Sequence, residues 1–230
     1  MSIPKNIFQT HKSFSYLKKK PQLLKSMKSW TKYAENNEFN YYFYDNKTCD
    51  KFMKENMDAR TYSAYRLLPM GVMKADLWRY CVIYKYGGIY ADVDTICNVN
   101  PNIFITDALL VVTSEPTCNY FCQWTFAGAP GSPILKTIID LSVERILSTP
   151  IKGEHIIHYL TGPSLFSDGI DKYLKENGLP TFNNKIEYFN YPSTILRVFN
   201  PQKFHNKFII HLFAGSNNDG WKAERYNVLM

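Results

Sequence analysis

The stretch Lys74–Asp94, KADLWRYCVIYKYGGIYADVD, constrains this chain more than any other. It predicts a helix that stops on Gly87-Gly88 and a strand that ends in two aspartates. Ile89, Ala91 and Val93 alternate there with Tyr90, Asp92 and Asp94. Successive strand side chains point to opposite faces, so the spacing places Asp92 and Asp94 on one face and turns the other toward a core. Two carboxylates this close repel unless a cation lies between them. No Lys or Arg stands within three residues of either. That leaves a divalent metal as the candidate, because carboxylate oxygens are hard ligands.

The surrounding pattern predicts an α/β protein. Ile3–Thr10 reads as a buried strand, a helix follows from Pro21 with Leu23, Met27, Trp30 and Ala34 on one side, and Phe39–Tyr44 reads as a second strand. Asp45 or Asn46 caps a helix carrying Cys49, Phe52 and Met53; further helices span Asp58–Leu67 and residues 70–86. Strand and helix in this alternation imply a parallel sheet with right-handed crossovers. Later strands are expected at Ala108–Thr113, Phe121–Ala127, Lys185–Asn190 and Lys207–Phe213, and helices from Pro133 and over Ser164–Asn177.

Several polar residues stand out against that frame. Asp76 and Arg79 are three apart, hence neighbours on a helix surface. They form either an exposed ion pair of little worth or part of the cleft that holds the aspartates. Ligands of open α/β sheets sit beyond the carboxyl ends of strands, which marks Gln9 and Thr10. His211 interrupts the apolar run KFIIHLF just before a Gly/Ser/Asn loop and Trp221, and reads as a core histidine or as part of a site. His155 and His158 have a weak metal-ligand spacing, and Cys118 with Cys122 makes half a zinc site that no second pair completes.

Net charge is +7, from 27 Lys+Arg against 20 Asp+Glu. That suits an anionic partner (a phosphorylated small molecule, a nucleic acid or a membrane surface) as well as plain solubility. The lysines read as scattered apart from Lys18-Lys19-Lys20, so no nucleic-acid stripe and no nucleic-acid partner is expected. Five cysteines without a CxxC pair indicate reduced thiols and a cytoplasmic setting, either a bacterial cytosol or, for a viral protein, host cytoplasm or virion. No apolar run reaches transmembrane length and the first residues do not open a signal peptide, so any membrane contact is expected to be peripheral.

The arrangement Asp76-x-x-Arg79, then Tyr86-Gly87-Gly88-Ile89-Tyr90, then Asp92-x-Asp94 resembles the DXD-containing sugar-binding region of glycosyltransferases. The likeness is to the group with the yeast-type initiating mannosyltransferases and bacterial capsule enzymes, and more distantly to the clostridial toxin glucosyltransferase domains. It extends to Ile3–Thr10, Phe39–Asp45, Gln123–Pro133, Thr161-Gly162-Pro163 and His211–Trp221, with His11, Gln123 and Ser132 as departures. The resemblance implies a single domain of the GT-A type over residues 1–230. Residues 1–113 would be the nucleotide-binding half and 114–230 the acceptor half with a C-terminal metal and diphosphate loop. It implies Mn²⁺ or Mg²⁺ held by Asp92, Asp94 and His211. The donor would be a nucleotide-sugar, UDP-linked before GDP-linked, and the acceptor a glycan or protein-linked hydroxyl, with retention at the anomeric carbon. Asp76, Arg79 and Asp92 would act at the sugar, with Gln9, Thr10, Tyr90, Ser216 and Trp221 around the donor. A metal-dependent nuclease or phosphotransferase, or a non-catalytic sugar- or nucleotide-binding module, remains the alternative.

Overall fold

A computed structural model of the protein describes residues 2–117, 119–182, 191–216 and 229. The chain opens with β1 (Asn6–Thr10), then α1 (Phe14–Lys18), α2 (Pro21–Asn36) and β2 (Asn40–Tyr44). Pro21 sits in the first turn of α2, where its missing N–H costs nothing. The helices α3 (Asn46–Asn56), α4 (Ala59–Leu67) and α5 (Gly71–Tyr86) follow. Asp45 caps α3 in a reciprocal box with Thr48, and Asp58 caps α4. Next come β3 (Gly88–Ala91), β4 (Thr95–Cys97), β5 (Leu110–Thr113) and β6 (Thr125–Gly128). The second half adds α6 (Pro133–Ser148), α7 (Ile156–Leu160), α8 (Pro163–Glu176), β7 (Leu196–Phe199) and β8 (Ile209–His211).

Six strands form one sheet in the order β2-β1-β3-β6-β5-β7, with β6 antiparallel to both neighbours and the other pairings parallel. This is the mixed α/β, mostly parallel sheet expected from the alternation of elements. It draws strands from both sides of residue 113. Strand alternation sends Phe8, Tyr90, Val112 and Phe126 into a core with Trp78, Leu135 and Phe166. It sends Ile7, Ile89, Val111 and Ala127 into a second core with Trp30, Phe104 and Phe204. Both faces of the sheet are therefore covered, and all four residues of β3 are buried. Only one buried face was expected there. Among the described residues no helix is long and apolar enough to cross a membrane.

Helix α5 carries no single apolar stripe. Met73 and every residue from Asp76 to Ile83 are buried, because the helix is packed on all sides. It ends on Gly87 at φ +64, and Gly88 follows at φ +122. A Cβ on Gly88 would lie 2.6 Å from the Asn6 carbonyl oxygen, so β3 can start against β1 only with a bare backbone at that position.

Three expectations need correction. The strand into the aspartates stops at Ala91, and Asp92-Val93-Asp94 is a turn between β3 and β4. The strand expected at Lys207–Phe213 is only Ile209–His211, since Phe204–Phe208 forms a helical turn instead. The strand expected from Phe121 starts at Thr125. The short elements α1, α7, β4 and β7 were not anticipated. Lys185–Asn190, Trp221 and Cys118 lie outside the described residues.

Candidate active site

The turn after β3 is made by one carbonyl. Asp92 O accepts from the Thr95 N–H at 3.1 Å, from the Thr95 hydroxyl at 2.6 Å and from Gln9 Nε2 at 3.1 Å. Gln9 is fully buried, and its Oε1 accepts from the Tyr41 hydroxyl at 2.8 Å. Val93, between the aspartates, packs inward against Leu17 of α1 and Met27 of α2. The turn then enters β4, whose antiparallel pairing with β8 sets Thr95 opposite His211. A long-range pairing of β4 with β8 thus delivers the histidine to the aspartates.

His211 Nε2 lies 3.4 Å from Asp94 Oδ1 and 3.9 Å from Asp92 Oδ2. One ligand atom from each of the three falls within 4.8 Å of the others, which no other group of His, Cys, Asp and Glu achieves among the described residues. Each also has its second polar atom held by the protein. Asp92 Oδ1 accepts from the Tyr90 hydroxyl and faces Arg79 Nη2 at 3.4 Å. Asp94 Oδ2 accepts from the Ala214 N–H at 2.9 Å. His211 Nδ1 accepts from the Phe213 N–H at 3.2 Å, so a neutral ring carries its proton on Nε2, facing the carboxylates, and Nε2 would ligate a metal only in the other tautomer. The remaining atoms are two carboxylate oxygens and an imidazole nitrogen that converge. That donor set suits a small divalent cation such as Mn²⁺ or Mg²⁺. His155, just before α7, and His158, on it, are exposed and do not join this group.

The two carboxylates differ electrostatically. Burial would raise Asp92, but Arg79 and His211 outweigh it and hold this carboxyl below its usual range. Burial and the Asp92 charge raise Asp94. The sequence showed no nearby basic residue; the fold supplies Arg79 from α5 to Asp92, leaving Asp94 as the less compensated charge.

Beneath Asp92 lies a sealed polar layer. Arg79 Nη2 pairs with Asp76 Oδ1 at 2.8 Å, and the two residues are 4% and 2% exposed. The exposed-pair reading is thereby excluded. Arg79 also donates to the Gln123 carbonyl at 3.1 Å, and its guanidinium carbon stands 4.5 Å from the centre of the Tyr90 ring. Asp76 further accepts from Gln123 Nε2 at 3.2 Å and from the Thr161 hydroxyl at 3.1 Å. Tyr80 joins the layer through Gln123 Oε1 and the Thr161 carbonyl. Burial pushes Asp76 up to about 7 against the pull of Arg79. Sequence reasoning did not place Tyr80, Tyr41 or the Ala214 N–H. It noted Gln123 and Thr161 only as matching or departing from a motif.

Of the remaining residues implied by resemblance, Thr10 donates to the Tyr44 carbonyl at 2.9 Å and contacts Cys49 Sγ at 3.2 Å. Gln9 and Thr10 are thus both engaged inside the protein at the end of β1. Tyr90 is buried between Arg79 and the sheet. Ser216 ends the short helical turn Ala214–Ser216, whose first N–H is the one that holds Asp94. His11, next in the chain, stacks on Tyr16, and its Nδ1 is buried without a hydrogen-bond partner.

Comparison with known proteins places these residues in context. Residues 10–110 match the family model described as glycosyltransferase sugar-binding region containing DXD motif. The chain is 26% identical over 207 residues to the initiation-specific alpha-1,6-mannosyltransferase of Candida albicans, covering 74% of this chain and 53% of that protein. It is 30% identical over 198 residues to the enzyme of the same name from Schizosaccharomyces pombe, covering 68% and 49%. The chain thus spans about half the length of these curated relatives. A solved structure titled PaToxG Glycosyltransferase superposes with a TM-score of 0.52 at 18% identity, over 76% of this chain and 71% of that one, which supports the fold. Over residues 10–110 the chain is thus similar to the glycosyltransferases whose sugar-binding region contains the DXD motif.

Proposed function

We propose that this protein is a metal-dependent glycosyltransferase that moves a sugar from a nucleoside-diphosphate sugar to a hydroxyl acceptor. The observation that carries the reading is the convergence of Asp92 and Asp94, inside the matched region, with His211 beyond it, the opposite oxygen of each carboxylate being already fixed by the protein. These three residues would hold the cation, which when bound neutralises negative charge on a diphosphate leaving group. Arg79 and Tyr90 fix the orientation of Asp92, and the Ala214 N–H fixes that of Asp94. Preset carboxylates of this kind avoid reorganisation when charge develops. A nuclease with two metal ions would need further carboxylates, and none joins the group among the described residues.

The relatives named mannosyltransferases put mannosyl donors first in a donor screen. Transfer with retention at the anomeric carbon belongs to the same reading, and proton NMR of the product decides it. The test is turnover of a panel of UDP- and GDP-linked sugars with Mn²⁺, with Mg²⁺ and with chelator. Metal-dependent release of nucleoside diphosphate, lost in Asp94→Asn, is the expected result. Metal-dependent cleavage of an oligonucleotide without turnover of any nucleotide-sugar would overturn the reading.

A further inference from the structure

The positive charge of this protein is segregated. Eight of its 27 Lys and Arg residues, and none of its 20 Asp and Glu, fall within residues 1–34; the rest of the chain carries 19 against 20 and is close to neutral. The lysines are therefore concentrated and not scattered, which corrects the expectation from the sequence pattern. The seven beyond Lys5, from Lys12 to Lys32, are all exposed. None of the seven forms an ion pair among the described residues, whereas Lys5 pairs with Glu38.

Lys12 precedes α1, the other six lie on α1, α2 and the turn between them, and that unit is fastened to the site. Trp30 Nε1 donates to Thr95 Oγ1 at 3.0 Å, the Cys97 N–H donates to Ser29 Oγ at 2.9 Å, and Leu17 and Met27 pack on Val93 between the two aspartates. The outer side carries an aromatic ring as well. Phe14, at the start of α1, is 43% exposed and meets Phe43 edge-on at 5.8 Å. Lys18 Nζ stands 5.3 Å from the centre of its ring.

We propose that the α1–α2 face docks the protein on a bilayer surface rich in anionic lipid. Unpaired lysines beside an exposed phenylalanine are the composition that a headgroup layer attracts, the charges meeting anionic lipid and the ring entering the acyl boundary. All eight basic residues are lysines. Lysine acts as a point charge suited to a diffuse headgroup layer, whereas discrete phosphate recognition on a nucleic acid favours the planar fork of arginine. The docking surface is separate from the proposed sugar chemistry, and binding alone reads it.

The test is sedimentation of the full chain with phosphatidylcholine vesicles, with and without phosphatidylserine, over a salt series. Binding should require phosphatidylserine and weaken as salt rises. Replacing Lys18, Lys19 and Lys20 together by Gln should reduce it about a hundredfold. Phe14→Ala should reduce it several-fold at every salt concentration. All four positions are exposed, so circular dichroism melts of the variants should overlay the parent. Equal binding to both vesicle types, or full binding by the triple variant, overturns the proposal. So does tighter binding to a duplex oligonucleotide than to vesicles at the same ionic strength.

Discussion

Arg79 Nη2 lies 2.8 Å from Asp76 Oδ1, three residues back on the same helix and closed off from solvent. An exposed pair at this spacing contributes almost nothing, but a buried one is costly to break from one side. Arg79→Ala strands the Asp76 and Asp92 carboxylates together without a guanidinium. It should cost about 3–5 kcal/mol in urea unfolding. Asp76→Asn should cost less, because Arg79 keeps Asp92 and the Gln123 carbonyl. The reverse ranking would mean that Asp76, not Arg79, organises the layer.

Gly88 and Gly131 separate two reasons for needing glycine. Both have positive φ, +122 and +69, but a Cβ on Gly88 meets the Asn6 carbonyl oxygen at 2.6 Å and one on Gly131 meets nothing within 4 Å. Gly131→Ala should lose only the conformational term, about 1 kcal/mol. Gly88→Ala should lose clearly more, since β1 and β3 must part to admit the methyl group. Chemical denaturation of the two variants checks the order. Similar losses would show that the β1–β3 approach relaxes easily.

The sequence exposed the elements whose cause is local. A helix ending on Gly87-Gly88 was legible because backbone chemistry specifies its end, whereas its burial on all sides was not. His211 was legible as a polar residue in an apolar strand. The end of β3 was not, because apolar alternation continues through Val93 while the strand ends at Ala91. What ends it is convergence on the Asp92 carbonyl, and one of the donors, Gln9, arrives from β1. The pairing of Thr95 with His211 and the recruitment of Gln123 and Thr161 to Asp76 are likewise tertiary. Residue spacing carries no record of them. The basic face was present in the sequence as a run of residues without acids. Its meaning depended on seeing that the lysines are exposed and unpaired.

His11 supplies a pH dependence with a definite sign. Burial, aided by Lys12 and opposed by Asp92, lowers it from 6.5 to about 4. The unfolded chain therefore takes up a proton that the folded protein refuses between those values. The contribution of His11 is fully present above pH 6.5 and is lost as pH falls toward 4. His11→Phe keeps a ring against Tyr16 and cannot titrate. Urea midpoints at pH 7 and pH 5 should show the parent losing ground to this variant at the lower pH. A constant difference between the two proteins would mean that His11 takes up its proton equally in the folded and unfolded states.

Gln9 tests whether the turn, and not only the ligands, matters to metal binding. Its amide ties the Asp92 carbonyl to the Tyr41 hydroxyl without contacting any of the three converging atoms. Asp94→Asn removes a ligand charge and should abolish Mn²⁺ binding measured by calorimetry without nucleotide. Gln9→Ala leaves Asp92, Asp94 and His211 intact but frees the carbonyl that shapes the turn. Partners that orient metal ligands are worth about 10- to 100-fold in affinity, so Gln9→Ala should weaken Mn²⁺ binding by that order. Tyr41→Phe, which removes only the hydroxyl holding Gln9, should fall between Gln9→Ala and the parent. If Gln9→Ala binds Mn²⁺ as the parent does, Thr95 alone fixes the turn. The buried amide would then serve the fold and not the site.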